Sequence, residues 1–214
     1  MRNLGLCCTG LLLCSALACA QSFEASVSGG ESYIPSSSSN LGTYSTDPSS
    51  GTYYLRDGFR LTFRMTLNSW RFMGHEFGYA YNHTSLEQPA AASAPTGITL
   101  PGTQPATTSN IGTPAHQGFY DFLVYATPEG SHVRPFATGG VQFTAFSTPG
   151  SAYYGNRETK YGINYGGGLK IKVKENWGFR LDARQYNMGK PFSLPNASGR
   201  LLLYEFGVGI SFLL

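Results

Sequence analysis

The segment Leu202-Leu203-Tyr204-Glu205-Phe206-Gly207-Val208-Gly209-Ile210-Ser211-Phe212-Leu213-Leu214 decides the fold of this chain. Every second residue from Leu202 to Leu214 is apolar, and the residues between them are mostly small or charged. Because a β-strand turns successive side chains to opposite faces, this alternation predicts a strand with one apolar and one polar face.

The same alternation recurs in seven earlier segments of the chain. It is clearest in 58–67, 161–173 and 177–184, and weaker in 22–32, 71–83, 117–126 and 133–146. Most of these segments approach or exceed the roughly nine to eleven residues that a tilted strand needs to cross a membrane. The pattern therefore predicts eight strands.

The chemistry of the two faces distinguishes between kinds of β-protein. One face carries Arg, Lys, Glu, Asp, Gly and Thr, while the other carries almost only aliphatic and aromatic residues. A soluble barrel buries its apolar face, whereas a membrane barrel turns that face to lipid and keeps a polar interior. We expect an all-β, eight-stranded, antiparallel up-and-down transmembrane barrel. A soluble β-sandwich is the alternative, since short alternating strands alone do not exclude it.

The connections between the predicted strands alternate in length. Short links are expected at 68–71, 127–131 and 174–176, and long extracellular loops at 33–54, 84–116, 147–158 and 187–199. Short periplasmic turns and long outer loops are typical of outer-membrane barrels. Trp70 and Trp177 fall beside short links, where an aromatic girdle would meet the membrane interface.

The first twenty residues are typical of a secretory signal peptide. Arg2 precedes a short apolar stretch that ends in Ala18-Cys19-Ala20, so cleavage before Gln21 is expected. The apolar stretch is too short for a membrane-spanning helix. Lipidation of Cys19 is the weaker alternative. All four cysteines lie in this segment, so 21–214 holds no disulfide and no thiol nucleophile.

The composition of the chain excludes several classes of function. Fifteen Lys and Arg residues stand against twelve Asp and Glu residues, with no concentrated basic face of the kind that binds nucleic acid. The histidines show no metal-ligand spacing, so no metal or cofactor is expected.

The inward face of the predicted barrel carries several charged residues. An eight-stranded barrel is just wide enough for its own side chains, so these charges need partners. Centring the short hairpins on Trp70 and Asn176 places Arg64 opposite Glu76 and Lys170 opposite Asp182, with Arg184 near Glu205. The predicted cluster is Arg60, Arg64, Glu76, Lys170, Asp182, Arg184 and Glu205. It fills the interior as a structural plug or, in the alternative, gates a narrow channel for ions or small solutes.

The best candidate for enzyme chemistry is the sequence His83-Thr84-Ser85, followed by Glu87. A histidine, a serine and a carboxylate near the outer leaflet could act on lipid acyl groups. A lone local motif is weak evidence, so an outer-membrane lipid-modifying enzyme is a second alternative and no catalytic residue is assigned.

Two stretches of the second half carry a family resemblance. They are Asn164-Tyr165-Gly166-Gly167-Gly168-Leu169-Lys170 and Trp177-Gly178-Phe179-Arg180-Leu181-Asp182-Ala183-Arg184, preceded by Arg134-Pro135-Phe136 and Gly139-Gly140-Val141. The chain resembles the outer-membrane β-barrel domain family related to OmpA and OmpX, over residues 22–214. No peptidoglycan-binding domain follows, so an anchoring role is not implied. The resemblance implies a barrel in the outer membrane of a Gram-negative-type bacterium but no single activity.

The last strand also resembles the C-terminal signal that the barrel-assembly machinery reads. Glu205, Gly207, Ile210 and Phe212 provide its polar, glycine and hydrophobic positions, with Leu213-Leu214 in place of an aromatic terminus. The expected partners are this machinery, outer-membrane lipid and lipopolysaccharide, with the protein a monomer. We expect a non-enzymatic integral membrane protein with a structural or surface-interaction role.

Overall fold

The computed structural model describes residues 22–43, 51–88, 109–147 and 158–214. Its strands are β1 Ser22–Tyr33, β2 Asn40–Thr43, β3 Thr52–Trp70, β4 Met73–Gln88, β5 Ser109–Tyr125, β6 Val133–Phe146, β7 Glu158–Lys172, β8 Trp177–Met188 and β9 Leu201–Leu213. A four-residue helix, α1 (Ser36–Ser39), and a 3-10 turn, Pro191–Ser193, lie between strands.

Eight of these strands close into a barrel. Each of β3 to β8 pairs antiparallel with the next strand along the chain, and β1 pairs with both β9 and β3. The short β2 lies outside the closed ring, beside the first residues of β3. The structure therefore confirms the predicted eight-stranded antiparallel barrel. Closure leaves the eight long strands without a free edge along the shared ladder.

Burial alternates along the strands as the sequence predicts. On β8, Phe179 and Leu181 point outward and are 44% and 39% exposed, while Arg180 and Asp182 between them are buried. The outer surface is a continuous band of aliphatic and aromatic side chains. Its apolar area exceeds what a monomeric soluble protein exposes to water, and it suits a surface in contact with hydrocarbon.

The two ends of the barrel differ. At one end the chain turns tightly between β3 and β4, between β5 and β6 and between β7 and β8. Trp70 is 71% exposed there, and Trp177 packs edge-on against Phe179 at 5.6 Å between ring centroids. The strand ends that the longer connections join lie at the other end.

Strands β4 and β5 extend further toward the long-loop end than the alternation indicates. β4 continues to Gln88 and β5 begins at Ser109, with Gln88 opposite Ser109, so both strands enter the range expected as the loop 84–116. Ser85, expected in that loop, lies in β4. Backbone pairing continues here because a ladder satisfies N–H and C=O groups whatever the side chains are. The predicted signal peptide and 89–108 lie outside the described residues.

The register of the predicted hairpins is wrong by two residues. Arg64 lies opposite Gly78, and Lys170 lies opposite Arg180. The β3–β4 turn is centred between Arg71 and Phe72, with a register shift between Asn68 and Trp70. Because side chains repeat with period two, this error moves partners along the barrel but leaves each on its predicted face.

Among the described residues, no helix is long and apolar enough to cross a membrane.

Candidate functional site

The middle of the barrel interior holds a network of buried charges. We call it the ion network: Arg60, Arg64, Glu76, Asp121, Arg180, Asp182, Arg184 and Glu205, contributed by β3, β4, β5, β8 and β9. Four guanidinium groups face four carboxylates, so the network has no net charge. Each of its side chains is at most 5% exposed.

Glu76 forms ion pairs with three arginines. Its Oε1 lies 2.6 Å from Arg184 Nη2 and 3.5 Å from Arg64 Nε, and its Oε2 lies 2.7 Å from Arg180 Nη1. Thr66 Oγ1 also donates a hydrogen bond to Oε2 at 2.9 Å. Three nearby cations compensate the charge of this buried carboxylate.

Asp182 and Asp121 extend the network across the barrel. Asp182 accepts from Arg180 Nε at 2.8 Å and from Arg184 Nη2 at 3.0 Å. Asp121 accepts from Arg184 Nη1. Arg184 therefore joins β8 to β4 and β5, strands that are not its neighbours in the sheet.

Glu205 is the acceptor nearest the long-loop end of the network. It forms ion pairs with Arg64 and with Arg60 Nε at 3.3 Å, and Tyr186 Oη donates to its Oε2 at 2.7 Å. Arg60 donates back to Tyr186 Oη at 3.0 Å, and its guanidinium lies 4.7 Å from that ring's centroid. The aromatic ring thus packs against the charge on the side that no carboxylate reaches.

The structure brings together six of the seven charged residues that the sequence places inside the barrel. The exception is Lys170, which forms an ion pair with Glu24 at 2.7 Å near the short-turn end. The predicted Lys170–Asp182 contact is not made, because the register differs by two residues. Arg180 and Asp121 belong to the network although the sequence did not assign them to it.

Above the network, at the long-loop end, the interior becomes apolar. We call this layer the apolar cap: Ile34, Leu41, Leu55, Leu86, Ala115, Phe146, Tyr186, Met188, Phe192, Leu201 and Leu203. Leu55, Leu86 and Leu201 have no solvent exposure. Six of the eight strands of the closed ring, β3, β4, β5, β6, β8 and β9, contribute a residue to the cap, and the short β2 adds Leu41.

Hydrogen bonds hold two connecting segments over the apolar cap. Asp57 Oδ1 accepts from the backbone N–H of Ile34 at 2.6 Å. Glu158 accepts from the backbone N–H of Phe192 and from Ser193 Oγ at 3.0 Å. The Phe192 ring meets Phe146 edge-on, with ring centroids 6.1 Å apart. Phe192 has φ 70°, a left-handed conformation that a bulky residue keeps only when its surroundings enforce it.

Glu158 lies at the first residue of β7, above the membrane-spanning part of the strand. Burial alone would raise the pKa of its carboxyl group. Hydrogen bonds from Lys160, Ser193 and the Phe192 backbone outweigh burial, so the pKa lies below its ordinary value.

The residues considered for lipid chemistry do not form a catalytic arrangement. His83 Nδ1 lies 3.5 Å from Tyr81 Oη, and no hydrogen bond joins it to Ser85 in this described part of β4. Glu87 is engaged by Arg56 in an ion pair. No group of three or more metal-ligating side chains occurs among the described residues.

The residues of the predicted assembly signal lie on both faces of β9. Ile210 and Phe212 point outward and are 41% and 48% exposed, whereas Glu205 points inward into the ion network. Gly207 lies opposite Gly30 of β1 and Asp182 of β8.

A closed ring of eight antiparallel strands with an apolar outer surface and a charged interior defines a small transmembrane β-barrel. The chain belongs to the outer membrane protein beta-barrel domain family, whose model matches residues 6–212. This match confirms the resemblance drawn from the sequence. In outer-membrane barrels the short turns usually face the periplasm and the long connections the exterior.

Solved structures show the same fold. The N-terminal β-barrel domain of Pseudomonas aeruginosa OprF is similar with a TM-score of 0.51 and 10% identity, over 89% of this chain and 97% of that one. Neisserial surface protein A (NspA) is similar with a TM-score of 0.55 and 13% identity, over 90% and 98% of the two chains. No significant match was found among curated proteins.

Proposed function

We propose that this chain is a non-enzymatic outer-membrane protein whose barrel is a closed platform for its extracellular segments. The observation that supports this most directly is that the interior is filled at two levels, by the ion network and by the apolar cap. An eight-stranded barrel has room only for its own side chains, and here they occupy it. Segments held on a rigid scaffold are well suited to a surface-interaction role.

A planar lipid bilayer experiment tests this closed state. The purified, refolded protein should show no stepwise ion current, because neither level leaves a water-filled path. Insertion is verified in parallel by a heat-dependent shift in gel mobility. The variant Phe146→Ala opens the apolar cap and leaves the ion network intact, so it should be silent as well. Regular current steps from the unaltered protein would contradict the proposal and favour the narrow channel.

The geometry also favours a non-enzymatic role over lipid modification. A serine nucleophile needs a base within hydrogen-bonding reach, and His83 contacts Tyr81 rather than Ser85. Replacing His83 or Ser85 with alanine should therefore leave the lipid A composition of producing cells unchanged in a mass spectrum. A change in lipid A composition with Ser85→Ala that Thr84→Ala does not reproduce would instead support a lipid-modifying enzyme.

For partners, we propose outer-membrane lipid and lipopolysaccharide around a monomeric barrel, and the barrel-assembly machinery during biogenesis. Support comes from the exposed apolar band and from the pattern of β9. Phe212→Ala should lower the amount assembled in cells, while Phe206→Ala, outward on the same strand but outside the pattern, should not. Equal loss in both variants would count against recognition of this pattern.

A further inference from the structure

Arg134 is a buried cation that no described carboxylate neutralises. The buried charges of the described residues comprise six cations, Arg60, Arg64, Arg134, Lys170, Arg180 and Arg184, and five carboxylates, Glu24, Glu76, Asp121, Asp182 and Glu205. The four carboxylates of the ion network engage its four arginines, and Glu24 engages Lys170 at 2.7 Å. This leaves one positive charge in excess, on Arg134.

The contacts of Arg134 are all with neutral groups. Its Nη1 donates to Asn68 Oδ1 and its Nη2 to the Arg71 carbonyl, both at 3.3 Å. The guanidinium lies 3.5 Å from the centroid of the Tyr125 ring. Its Nε–H is buried and has no hydrogen-bond partner among the described residues.

A second cation increases the local surplus. Lys170 lies directly opposite Arg134 in the β6–β7 ladder, and its Nζ is 5.3 Å from the centroid of the same Tyr125 ring. Like charges at directly opposed positions destabilise a sheet. Of these two cations Glu24 pairs only with Lys170, and its Oε1 accepts no hydrogen bond among the described residues.

Both cations line a cavity of about 90 Å³ at the periplasmic end of the barrel. Around its rim, Lys172 and Lys174 are offset by Glu129 and Glu175, so the rim adds no net charge. The excess positive charge therefore lies among the groups that line the cavity. Burying a charge without a counter-charge is costly, and an anion at this position would remove that cost.

We propose that this cavity binds a small carboxylate anion from the periplasm, held by Arg134 with Lys170 beside it. Guanidinium and ammonium groups both donate charge-assisted hydrogen bonds to carboxylate oxygens. The cavity volume limits the ligand to a molecule of a few heavy atoms. The site is separated from the ion network. The proposal therefore does not depend on whether the barrel conducts ions.

The test uses the whole refolded barrel in uncharged maltoside micelles. Sodium formate and sodium chloride are added separately, with ionic strength kept constant by a bulky sulfonate buffer. Side-chain Nε–H and backbone amide NMR signals report on Arg134, Lys170 and Ile171. We expect a saturable shift with formate, a weaker one with chloride, and no saturation in Arg134→Gln.

Two further variants control for misfolding and for general charge effects. Glu24→Gln frees Lys170 from its partner and should tighten formate binding roughly tenfold, the effect of one more net charge in a partly buried site. Lys174→Gln removes a charge from the rim and should change the affinity less than about twofold. Chloride saturating as strongly as formate would overturn the carboxylate assignment. Shifts that never saturate with either anion, in wild type and Glu24→Gln alike, would overturn the site itself.

Discussion

Arg184 lies directly opposite Glu205 in the β8–β9 ladder, yet its guanidinium contacts Glu76 at 2.6 Å on the far side of the interior. Glu205 pairs with Arg60 and Arg64 of β3 instead. The charges of this barrel thus connect strands that are not adjacent in the sheet. The ion network supplements the backbone ladder rather than repeating it.

Removing Arg184 should destabilise the barrel strongly. Arg184→Met leaves Glu76, Asp121 and Asp182 short of a shared donor in a dry interior, where breaking a buried pair typically costs about 3–5 kcal/mol. Urea unfolding in lipid vesicles, followed by tryptophan fluorescence, measures this free energy. Arg200→Met, at an exposed arginine that contacts Asn187, should stay within about 0.5 kcal/mol. A loss below about 1 kcal/mol for Arg184→Met would show that water substitutes for the guanidinium.

Two adjacent glycines should respond oppositely to alanine. A Cβ on Gly140 would lie 2.0 Å from the Tyr120 carbonyl oxygen, so Gly140→Ala forces β5 and β6 apart and should prevent refolding. A Cβ on the outward Gly139 has its nearest neighbour at 3.8 Å, so Gly139→Ala should refold normally. The fraction that shows a heat-dependent gel shift measures both. Equal refolding of the two variants would mean that the strands can separate at little cost.

The apolar cap should contribute to stability as a soluble protein core does. Phe146 is 1% exposed, and Phe146→Ala should lower the free energy of unfolding by about 3–5 kcal/mol. Phe63→Ala removes the same side chain from the lipid-facing surface, where acyl chains can fill the space, and should cost clearly less. The same urea titration compares them. A larger loss at Phe63 would indicate that the cap is loosely packed.

The contact between Glu158 and the turn that carries Phe192 should weaken in acid. The pKa of this carboxyl is lowered in the folded protein, so its contribution is complete above its ordinary value of 4.5 and is lost as the pH falls through the lower folded value. The protection factor of the Phe192 amide, its exchange rate relative to an unfolded amide at the same pH, should therefore fall at low pH. Glu158→Gln should show a lower protection factor that does not change with pH in this range. A protection factor that does not change with pH in the unaltered protein would mean that the apolar contacts alone hold the turn.

The face of each charged residue could be predicted from sequence, but its partner could not. Period-two alternation places Arg64 and Asp182 inside whatever the turn geometry is. Their partners depend on where a hairpin turns, and a shift of one residue in the turn centre moves every opposed pair by two. The alternation over 177–184 also places Arg180 inside, but the predicted register pairs Lys170 with Asp182 and gives Arg180 no partner.

Two other features have weak sequence signals for physical reasons. Asp121 lies on β5, where the inward residues Phe119, Leu123 and Tyr125 are as apolar as the outward ones, so alternation hardly shows. The apolar cap interrupts the alternation in the same way, since Leu201 and Leu203 face inward beside the outward Leu202. The apolar cap can be recognised only in the structure, where the connecting segments fold over it.

The span of the ion network along the chain has a consequence for how the barrel can form. Its contacts join residues as distant as Arg60 and Glu205, so an arginine on β3 has no complete set of partners before β9 is in place. A partly inserted sheet would carry uncompensated charges into hydrocarbon, where each is strongly unfavourable. Insertion and closure must therefore occur together, and water leaves the interior only as the last pair of strands forms its hydrogen bonds. A barrel of this kind has no stable half-built form in lipid.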